Sequence, residues 1–394
     1  MQDFELWWLL VFPVFFGLGW FAARVDMRAV LGQAKAIPAA YFKTLLALVN
    51  NHSDRAVEAL TEVVRHAPRD HELPLVLAQL HKKRGEHDLA IRLLTPILQQ
   101  VDDLQPSQRD ALRFELAQNF LRAGLVDRAE ELLLHLTQGN HPSNRAHEAR
   151  KLLLEIYQQE RNWPLAIELA RTLKSQDFSF QHELAQYHCE LAQAALIKSD
   201  WSAARAHVAD ALAASRRSCR ASLIAGDIER AEGQWEAAIA RWQGIESQNP
   251  DYLSLVGERL MDAYEQQGKP QEGIALLTGY LRQYPQLELG DVLYPKIAAL
   301  SGERAALSFL RETVHSQPSL TGLGKLIEAQ IGGLDPEQRL DAEVARNLVQ
   351  SHGKRLNVYR CKRCHFRAKI FFWHCPACGE WESFTPNRSE ALAV

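Results

Sequence analysis

The sequence holds little cysteine and almost none of the apolar–polar alternation that predicts β-strands. Only six of the 394 residues are cysteine, too few for a disulfide framework in a chain of this length, so we expect a reducing compartment. The net charge is only −3, which gives no general attraction to nucleic acid. The chain also lacks a phosphate-binding glycine loop, a nucleophile–base pair and paired carboxylates at a catalytic spacing. We therefore predict that it is not an enzyme.

One long apolar run lies near the N-terminus. Residues 6–23, LWWLLVFPVFFGLGWFAA, contain no charged side chain, and as a helix they would extend roughly 27 Å, close to the thickness of the hydrocarbon core of a bilayer. No basic residue precedes the run, which argues against a signal peptide, whereas Arg24 and Arg28 follow it. Positive charge flanks the cytoplasmic end of a span. We therefore predict a single transmembrane anchor over 1–24, a juxtamembrane linker over 25–35, and the bulk of the protein in the cytoplasm.

The middle of the chain carries helical apolar patterns that recur in phase. A small residue returns every 33 to 39 residues, and an apolar residue follows four positions later in every unit. In five of these units a turn residue stands five residues before the small residue. These turn residues are Gly85, Gly124, Ser199, Gly233 and Gly268. The small residues are Ala56, Ala90, Ala129, Ala166, Ala204, Ala238, Gly273 and Ala306.

This pattern resembles the tetratricopeptide repeat (TPR), in which a small residue lets two helices approach and stacked neighbours complete the core. We predict a mostly α fold with about eight TPR-like units over residues 36–318, forming a superhelix, and two capping helices over 319–354. In-phase tryptophans at Trp163, Trp201 and Trp235 are interpreted as packing at turns. The lone cysteines, Cys189 and Cys219, are interpreted as buried free thiols.

Four cysteines are concentrated in the tail, YRCKRCHFRAKIFFWHCPACGEW. Cys361 and Cys364 form one Cys-x-x-Cys pair, and Cys375 and Cys378 form a second. Two such knuckles supply four thiolates to a single tetrahedral metal ion. We predict a small metal-binding domain over 355–386, folded largely by its ion because so short a segment lacks a sufficient core. A short tail, 387–394, would follow it.

The spacing does not identify the metal, since zinc and iron both accept four sulfurs. The second knuckle, CPACG, resembles rubredoxin and so implies iron, while zinc is not excluded. The first knuckle has His365 where glycine commonly stands, and glycine would tolerate the left-handed turn beneath the sulfurs. His365 and His374 are expected to be neighbours of the metal and not ligands.

The order of anchor, repeats and four-cysteine tail resembles the bacterial lipopolysaccharide assembly protein B family over the whole chain. The resemblance implies a scaffold at the cytoplasmic face of the inner membrane that regulates lipopolysaccharide synthesis. It implies three protein partners: the deacetylase of the lipid A pathway (LpxC), the membrane protease FtsH, and an inner-membrane sensor protein. A homo-oligomer is compatible with the sequence.

Two other functions remain open from the residues alone. The four sulfurs around iron would suit a membrane-anchored electron carrier, whereas a zinc ribbon with exposed basic residues would suit a nucleic-acid binder. The basic residues of the tail are Arg360, Lys362, Arg363, Arg367 and Lys369. A solvated or protein-docking face is the simpler interpretation of that charge.

Overall fold

The structure is a computed structural model. It describes residues 15, 16, 18, 20, 21, 46, 47, 50, 52–66, 72–99, 104–137, 145–173, 180–316, 318–356 and 358–388. Most of the predicted span 6–23, together with the linker 25–35 and the end of the tail, lies outside these residues. In the part of the chain that is described, no helix has both the length and the apolar character needed to cross a membrane.

The chain divides into two compact units, residues 1–162 and 163–394. The described part of the first unit contains α-helices, each of which contacts the next one along the chain. Its helices are α1 (Ser53–His66), α2 (Glu72–Lys83), α3 (His87–Gln99), α4 (Pro106–Arg122), α5 (Val126–Thr137) and α6 (Ala146–Gln159).

The second unit continues the helical succession and ends in a small β-containing module. A 3₁₀ helix, Pro250–Leu255, interrupts the α-helices. The helices are α7 (Trp163–Thr172), α8 (Gln181–Ile197), α9 (Trp201–Ala214), α10 (Cys219–Ala231), α11 (Trp235–Gln243), α12 (Ile245–Gln248), α13 (Gly257–Gln266), α14 (Pro270–Gln283), α15 (Gly290–Ser301), α16 (Glu303–Ser316), α17 (Leu320–Ile331) and α18 (Pro336–Leu356). Strands β1 (Tyr359–Arg360) and β2 (Arg367–Ala368) pair antiparallel.

Polar side chains fix where several of these helices begin. Asp200 accepts a hydrogen bond from the amide of Ala203 at 3.0 Å, and Ser319 accepts one from the amide of Gly322 at 3.0 Å. Each contact satisfies an amide that has no partner in the first turn of a helix. These caps account for the starts of α9 and α17.

The small residues of the predicted repeat lie where helices touch. The seven alanines of the set are each 0% exposed, and the apolar residues four positions later are all buried, from Leu60 to Leu310. At Gly273, an added Cβ would lie 3.0 Å from Met261 Sδ and 3.0 Å from Tyr264 Cβ. A side chain at this position would push the helices apart, as the sequence pattern predicts.

The turns between paired helices use left-handed backbone at the predicted positions. Gly85, Gly124, Gly233 and Gly268 have φ between 72° and 77°, and Ser199 has φ 60°. Only glycine adopts this conformation without a steric penalty, so Ser199 holds it at some cost. The turn residues of the repeat are therefore confirmed.

The core of the second unit is built around Trp242, which is fully buried. Its indole nitrogen donates to the carbonyl of Leu223 at 3.2 Å. A Cβ at Gly226 would lie 2.2 Å from that nitrogen, so the indole occupies space that glycine alone leaves free. Cys189 and Cys219 are buried free thiols, as predicted, and burial raises the pKa of each to about 12.

Candidate metal centre

The four tail cysteines converge on one point. Cys361 Sγ lies 3.8 Å from Cys378 Sγ, and Cys364 Sγ lies 3.7 Å from Cys375 Sγ. All four sulfurs lie within 4.8 Å of one another. A tetrahedral ion with metal–sulfur bonds of about 2.3 Å holds its sulfurs about 3.8 Å apart. The spacing of the sulfurs therefore fits a single metal ion.

Each cysteine pair sits on the same kind of turn. The amide of His365 donates to the carbonyl of Cys361 at 3.0 Å, and the amide of Gly379 donates to the carbonyl of Cys375 at 2.9 Å. The two donors have φ of 62° and 69°. His365 thus adopts the left-handed conformation expected of glycine, so its presence does not prevent the first knuckle from forming.

A short network of backbone pairs joins the knuckles into one module, residues 359–386, called here the knuckle module. Besides the β1–β2 pair, Cys361 bridges Phe384 and His374 bridges Trp381. Phe384 is 1% exposed and is the apolar centre of the module. So small a core leaves much of the folding free energy to be supplied by a bound ion.

The thiols of the module differ in acidity. Burial raises the pKa of Cys361, but hydrogen bonds from knuckle amides and the Ser383 hydroxyl outweigh it and lower that pKa to about 6. Burial, together with the neighbouring sulfurs, raises the pKa of Cys378 to about 12 and also raises the pKa of Cys375. Four thiolates this close repel one another unless a cation lies between them. The donor set therefore fits a soft divalent or trivalent ion.

The neighbouring histidines are not part of the sulfur cluster. The group of described tail residues able to hold an ion consists of the four cysteines, without His365 or His374. The His374 ring instead lies 4.4 Å from the Trp381 ring. The five basic residues of the tail are all exposed, and Arg363 forms an ion pair with Glu380.

Within the second unit, the knuckle module packs on an aromatic surface of the helices. We call this surface the docking seat and define it as Trp163, Tyr187, Arg220 and Tyr252. The ring of Trp381 lies 6.0 Å from the rings of both Trp163 and Tyr187. On the other side, Trp373 stacks on Tyr252 at 5.2 Å with an interplanar angle of 4°. Aromatic pairs of this kind each contribute about 0.5–1.5 kcal/mol beyond area burial.

Arg220 lies between the two tryptophans of the module. Its guanidinium carbon is 5.6 Å from the ring of Trp373 and 5.9 Å from that of Trp381. The side chain is only 4% exposed and donates to Glu190 at 2.8 Å and Gln193 at 3.0 Å. A buried charge requires such partners. Arg220 therefore binds the module through cation–π contacts with both tryptophans, and its hydrogen bonds fix the orientation of the guanidinium.

Polar contacts complete the docking. Gln186, which is fully buried, donates to Glu382 at 2.7 Å. Burial raises the pKa of Glu382, although His182, Gln186 and Arg220 favour its ionised form. Just beyond the module, Arg388 donates to Glu288 at 2.7 Å. These polar contacts thus attach the C-terminal part of the module, and the residue just beyond it, to the helices.

Sequence reasoning located the sulfurs but not the docking seat. The interpretation of Trp163 as turn packing is incomplete, because its ring also contacts Trp381. Trp201, the residue at the same repeat position, is 38% exposed. The sequence feature that could have indicated the docking seat is Arg220, a charged residue at the start of the helix CRASLIAGDIERA, most of which is buried.

The first unit holds a separate cavity of about 630 Å³. It lies along the first helices of three successive pairs, α2, α4 and α6, and its rim carries Lys82, Lys83, Arg122 and Glu155. Lys82 already pairs with the buried Glu115 at 2.7 Å. The exposed cations that remain at this rim are Lys83 and Arg122, which favour an acidic ligand segment.

Comparison with known protein families supports both parts of this description. The rubredoxin metal binding domain family matches residues 359–386. The tetratricopeptide repeat family matches residues 45–103 and 189–250. A solved structure is also similar to this chain: the crystal structure of the C-terminal part of a TPR repeat-containing protein from Cytophaga hutchinsonii. The match covers 67% of this chain and 95% of that chain at 12% sequence identity, with a TM-score of 0.35.

Curated relatives match over nearly the full length. The lipopolysaccharide assembly protein B of Escherichia coli strain K12 is 28% identical over 387 residues, which cover 98% of both chains. The protein of the same name from Haemophilus influenzae is 27% identical over 401 aligned positions, covering 97% of this chain and 98% of its own. The resemblance to the lipopolysaccharide assembly protein B family is therefore confirmed, with TPR repeats and a C-terminal metal-binding domain in the order that family implies.

Proposed function

We propose that this chain is a non-enzymatic adaptor of the bacterial inner membrane that regulates lipopolysaccharide biosynthesis. In this proposal it brings the deacetylase of the lipid A pathway to the membrane protease FtsH, and an inner-membrane sensor protein restrains it. The name of the curated relatives and the TPR repeats support a scaffold role in lipopolysaccharide assembly. The three partners follow from the family resemblance, as does the cytoplasm-facing position behind the anchor 1–24.

The observation that carries the scaffold proposal is the attachment of the knuckle module to the helices. Trp381 and Trp373 fill the docking seat, and the guanidinium of Arg220 lies between them with hydrogen bonds to side chains of α8. These contacts hold the module in one orientation on the helices, which supports a structural role for it. In our proposal Cys361, Cys364, Cys375 and Cys378 hold one metal ion that folds the module, and the module in turn fixes the helices that contact partners.

The test separates metal binding from docking. In cells that lack the chromosomal copy, Trp163→Ala is compared with Trp201→Ala, the same substitution at the equivalent repeat position. We expect the first variant to keep its metal but to lengthen the half-life of the deacetylase several-fold, and the second to behave as the wild type. A normal half-life in Trp163→Ala, with docking lost, would refute the scaffold role of the module.

The electron-carrier alternative is tested by the choice of ion. A purified or cell-expressed chain loaded with zinc alone cannot transfer electrons at the four-sulfur site. We expect the zinc-loaded chain to support normal turnover of the deacetylase, and Cys361→Ser to abolish it. Loss of regulation in a zinc-loaded chain of unchanged helical content would instead favour the electron carrier.

The anchor is proposed to confine the adaptor near its protease and so raise their effective concentration. Deletion of residues 1–23 should leave a chain that still captures the deacetylase in a binding assay but no longer directs its degradation. Normal degradation in cells expressing only the truncated chain would contradict the anchoring role without affecting the metal or docking results.

The basic rim of the first-unit cavity is proposed as one partner contact. Lys83 and Arg122 are both exposed at this rim, and charge reversal at either should weaken capture of the partner about tenfold or more. Arg55→Glu, on an exposed face of α1 that does not line the cavity, is the matched control. Equal capture by all three variants would exclude this cavity as the contact.

A further inference from the structure

A second cluster of metal-binding side chains lies away from the tail cysteines. It joins His188 on α8 to His207 and Asp210 on α9, and one ligand atom from each lies within 4.8 Å of the other two. His188 Nδ1 is 3.7 Å from Asp210 Oδ2. The side chain of His188 is 6% exposed, whereas that of Asp210 is 55% exposed. The cluster therefore reaches from the helix interface to solvent.

Two of the nitrogens in this cluster are buried and lack a hydrogen-bond partner. They are Nδ1 of His188 and Nδ1 of His207. Leaving a buried polar atom unsatisfied costs about 1–3 kcal/mol, and native structures leave few such atoms without a partner. The His188 nitrogen faces the carboxylate of Asp210 across a gap too long for a hydrogen bond. A ligand between these groups would satisfy them.

The donor set indicates the class of that ligand. Two imidazoles and one carboxylate suit zinc and the neighbouring divalent transition metals, and three protein ligands leave one position for water. His207 and Asp210 are three residues apart on α9, so they share a helix face. Metal–ligand bonds of about 2.0–2.2 Å require the ligand atoms to close to about 3.4 Å. Asp210, being exposed, can make that movement by a change of rotamer.

The charges around the cluster are compatible with a cation. Asp210 supplies one negative charge, and Arg171 on α7 supplies an opposing positive charge. Arg171 is exposed, so its guanidinium can remain in solvent.

We propose that His188, His207 and Asp210 form a second metal site, for one divalent transition-metal ion, that cross-links α8 and α9. Tyr187, the neighbour of His188 in sequence, belongs to the docking seat. An ion at this site would therefore hold α8, the helix that contributes Tyr187 to the seat. The inference does not depend on the adaptor role or on the identity of the ion at the four sulfurs.

The test uses the full chain with its four-sulfur site first filled by one equivalent of Zn²⁺. Co²⁺ is then added and followed by its visible absorption, since cobalt bound to nitrogen and oxygen lacks the near-ultraviolet charge-transfer band of a cobalt thiolate. We expect one further equivalent to bind to the wild type without that band. Asp210→Asn and His207→Ala should weaken this binding tenfold or more.

Two controls keep the result interpretable. His147→Ala removes a histidine of the first unit that belongs to neither metal cluster found in the described residues, and it should bind Co²⁺ as the wild type does. Because Asp210 is exposed, its asparagine variant keeps the fold, which the helical circular dichroism checks. Equal binding by the wild type and both cluster variants would overturn the proposal. Appearance of the thiolate band on adding Co²⁺ would also overturn it.

Discussion

Replacing Trp163 with alanine tests whether the knuckle module and the helices stabilise each other. The indole is 8% exposed and contacts Tyr187 at 5.7 Å and Trp381 at 6.0 Å. Truncation of a buried tryptophan to alanine costs about 3–5 kcal/mol. Trp201 occupies the same repeat position but is 38% exposed, so Trp201→Ala should cost only about 1–2 kcal/mol.

A double-mutant cycle measures how much of this loss in the free energy of unfolding comes from the contact with the knuckle module. Trp163→Ala and Trp381→Ala are made singly and together, and the free energy of unfolding is measured by urea denaturation followed by circular dichroism. An edge-to-face pair at this distance should give a coupling energy of about 0.5–1.5 kcal/mol. Each variant is compared at full zinc occupancy, so that metal loss does not enter the difference.

A coupling energy indistinguishable from zero would mean that the two rings touch without stabilising each other. The same conclusion would follow if Trp163→Ala and Trp201→Ala lowered the free energy of unfolding equally. Either result would refute the inference that the helices and the knuckle module stabilise each other.

Four further expectations concern two glycines, one carboxyl group and the metal. Gly226→Ala should lower the free energy of unfolding by about 1–3 kcal/mol, because its methyl group would overlap the indole of Trp242. Gly279→Ala, in open space on α14, should instead raise it by about 0.5–1 kcal/mol. Burial raises the pKa of Glu288 in the folded protein, so protonation favours folding. The free-energy difference between the wild type and Glu288→Gln should therefore shift in favour of the wild type as pH falls from 7 to 5. Removal of the metal by a strong chelator should unfold residues 359–386 while most helical circular dichroism remains.

The same measurements of stability and circular dichroism can contradict these expectations. Equal stabilities of the two glycine variants would mean that the core repacks around the added methyl group. A pH-independent difference between the wild type and the glutamine variant would show that the carboxyl ionises equally in both states. Cooperative loss of all helical signal on chelation would show that the metal supports far more than its own module.

The repeat was predictable because it depends on close contact between backbones. At Ala90 or Gly273 a larger side chain would separate two helices, and that constraint repeats in every unit. The four cysteines were predictable for a similar reason, since thiol spacing around one ion is a local geometric requirement. In both cases the physical constraint acts over a few residues and is visible in the sequence.

The docking seat was not predictable because its members are far apart in sequence. Tyr252 and Trp373 stack with their planes 4° apart, yet neither residue differs in its local pattern from an ordinary core aromatic. Arg220 is covered by groups from helix α8 and from the knuckle module, which are far apart in the sequence. The cluster at His188 was missed for the same reason, since its partner residues come from the next helix. Contacts of this kind depend on the tertiary fold.

The knuckle module follows the helices of the docking seat in the sequence, and this order has a consequence for biosynthesis. Trp163, Tyr187 and Arg220 leave the ribosome well before Trp381 does, a delay of roughly ten to thirty seconds at usual bacterial elongation rates. During that interval a patch of indole, phenol and guanidinium faces solvent with nothing to cover it. A nascent chain that stalls before residue 359 keeps this patch exposed. Synthesis of residues 359–386, followed by capture of the ion, is thus the event that hides the patch from chaperones and degradative enzymes.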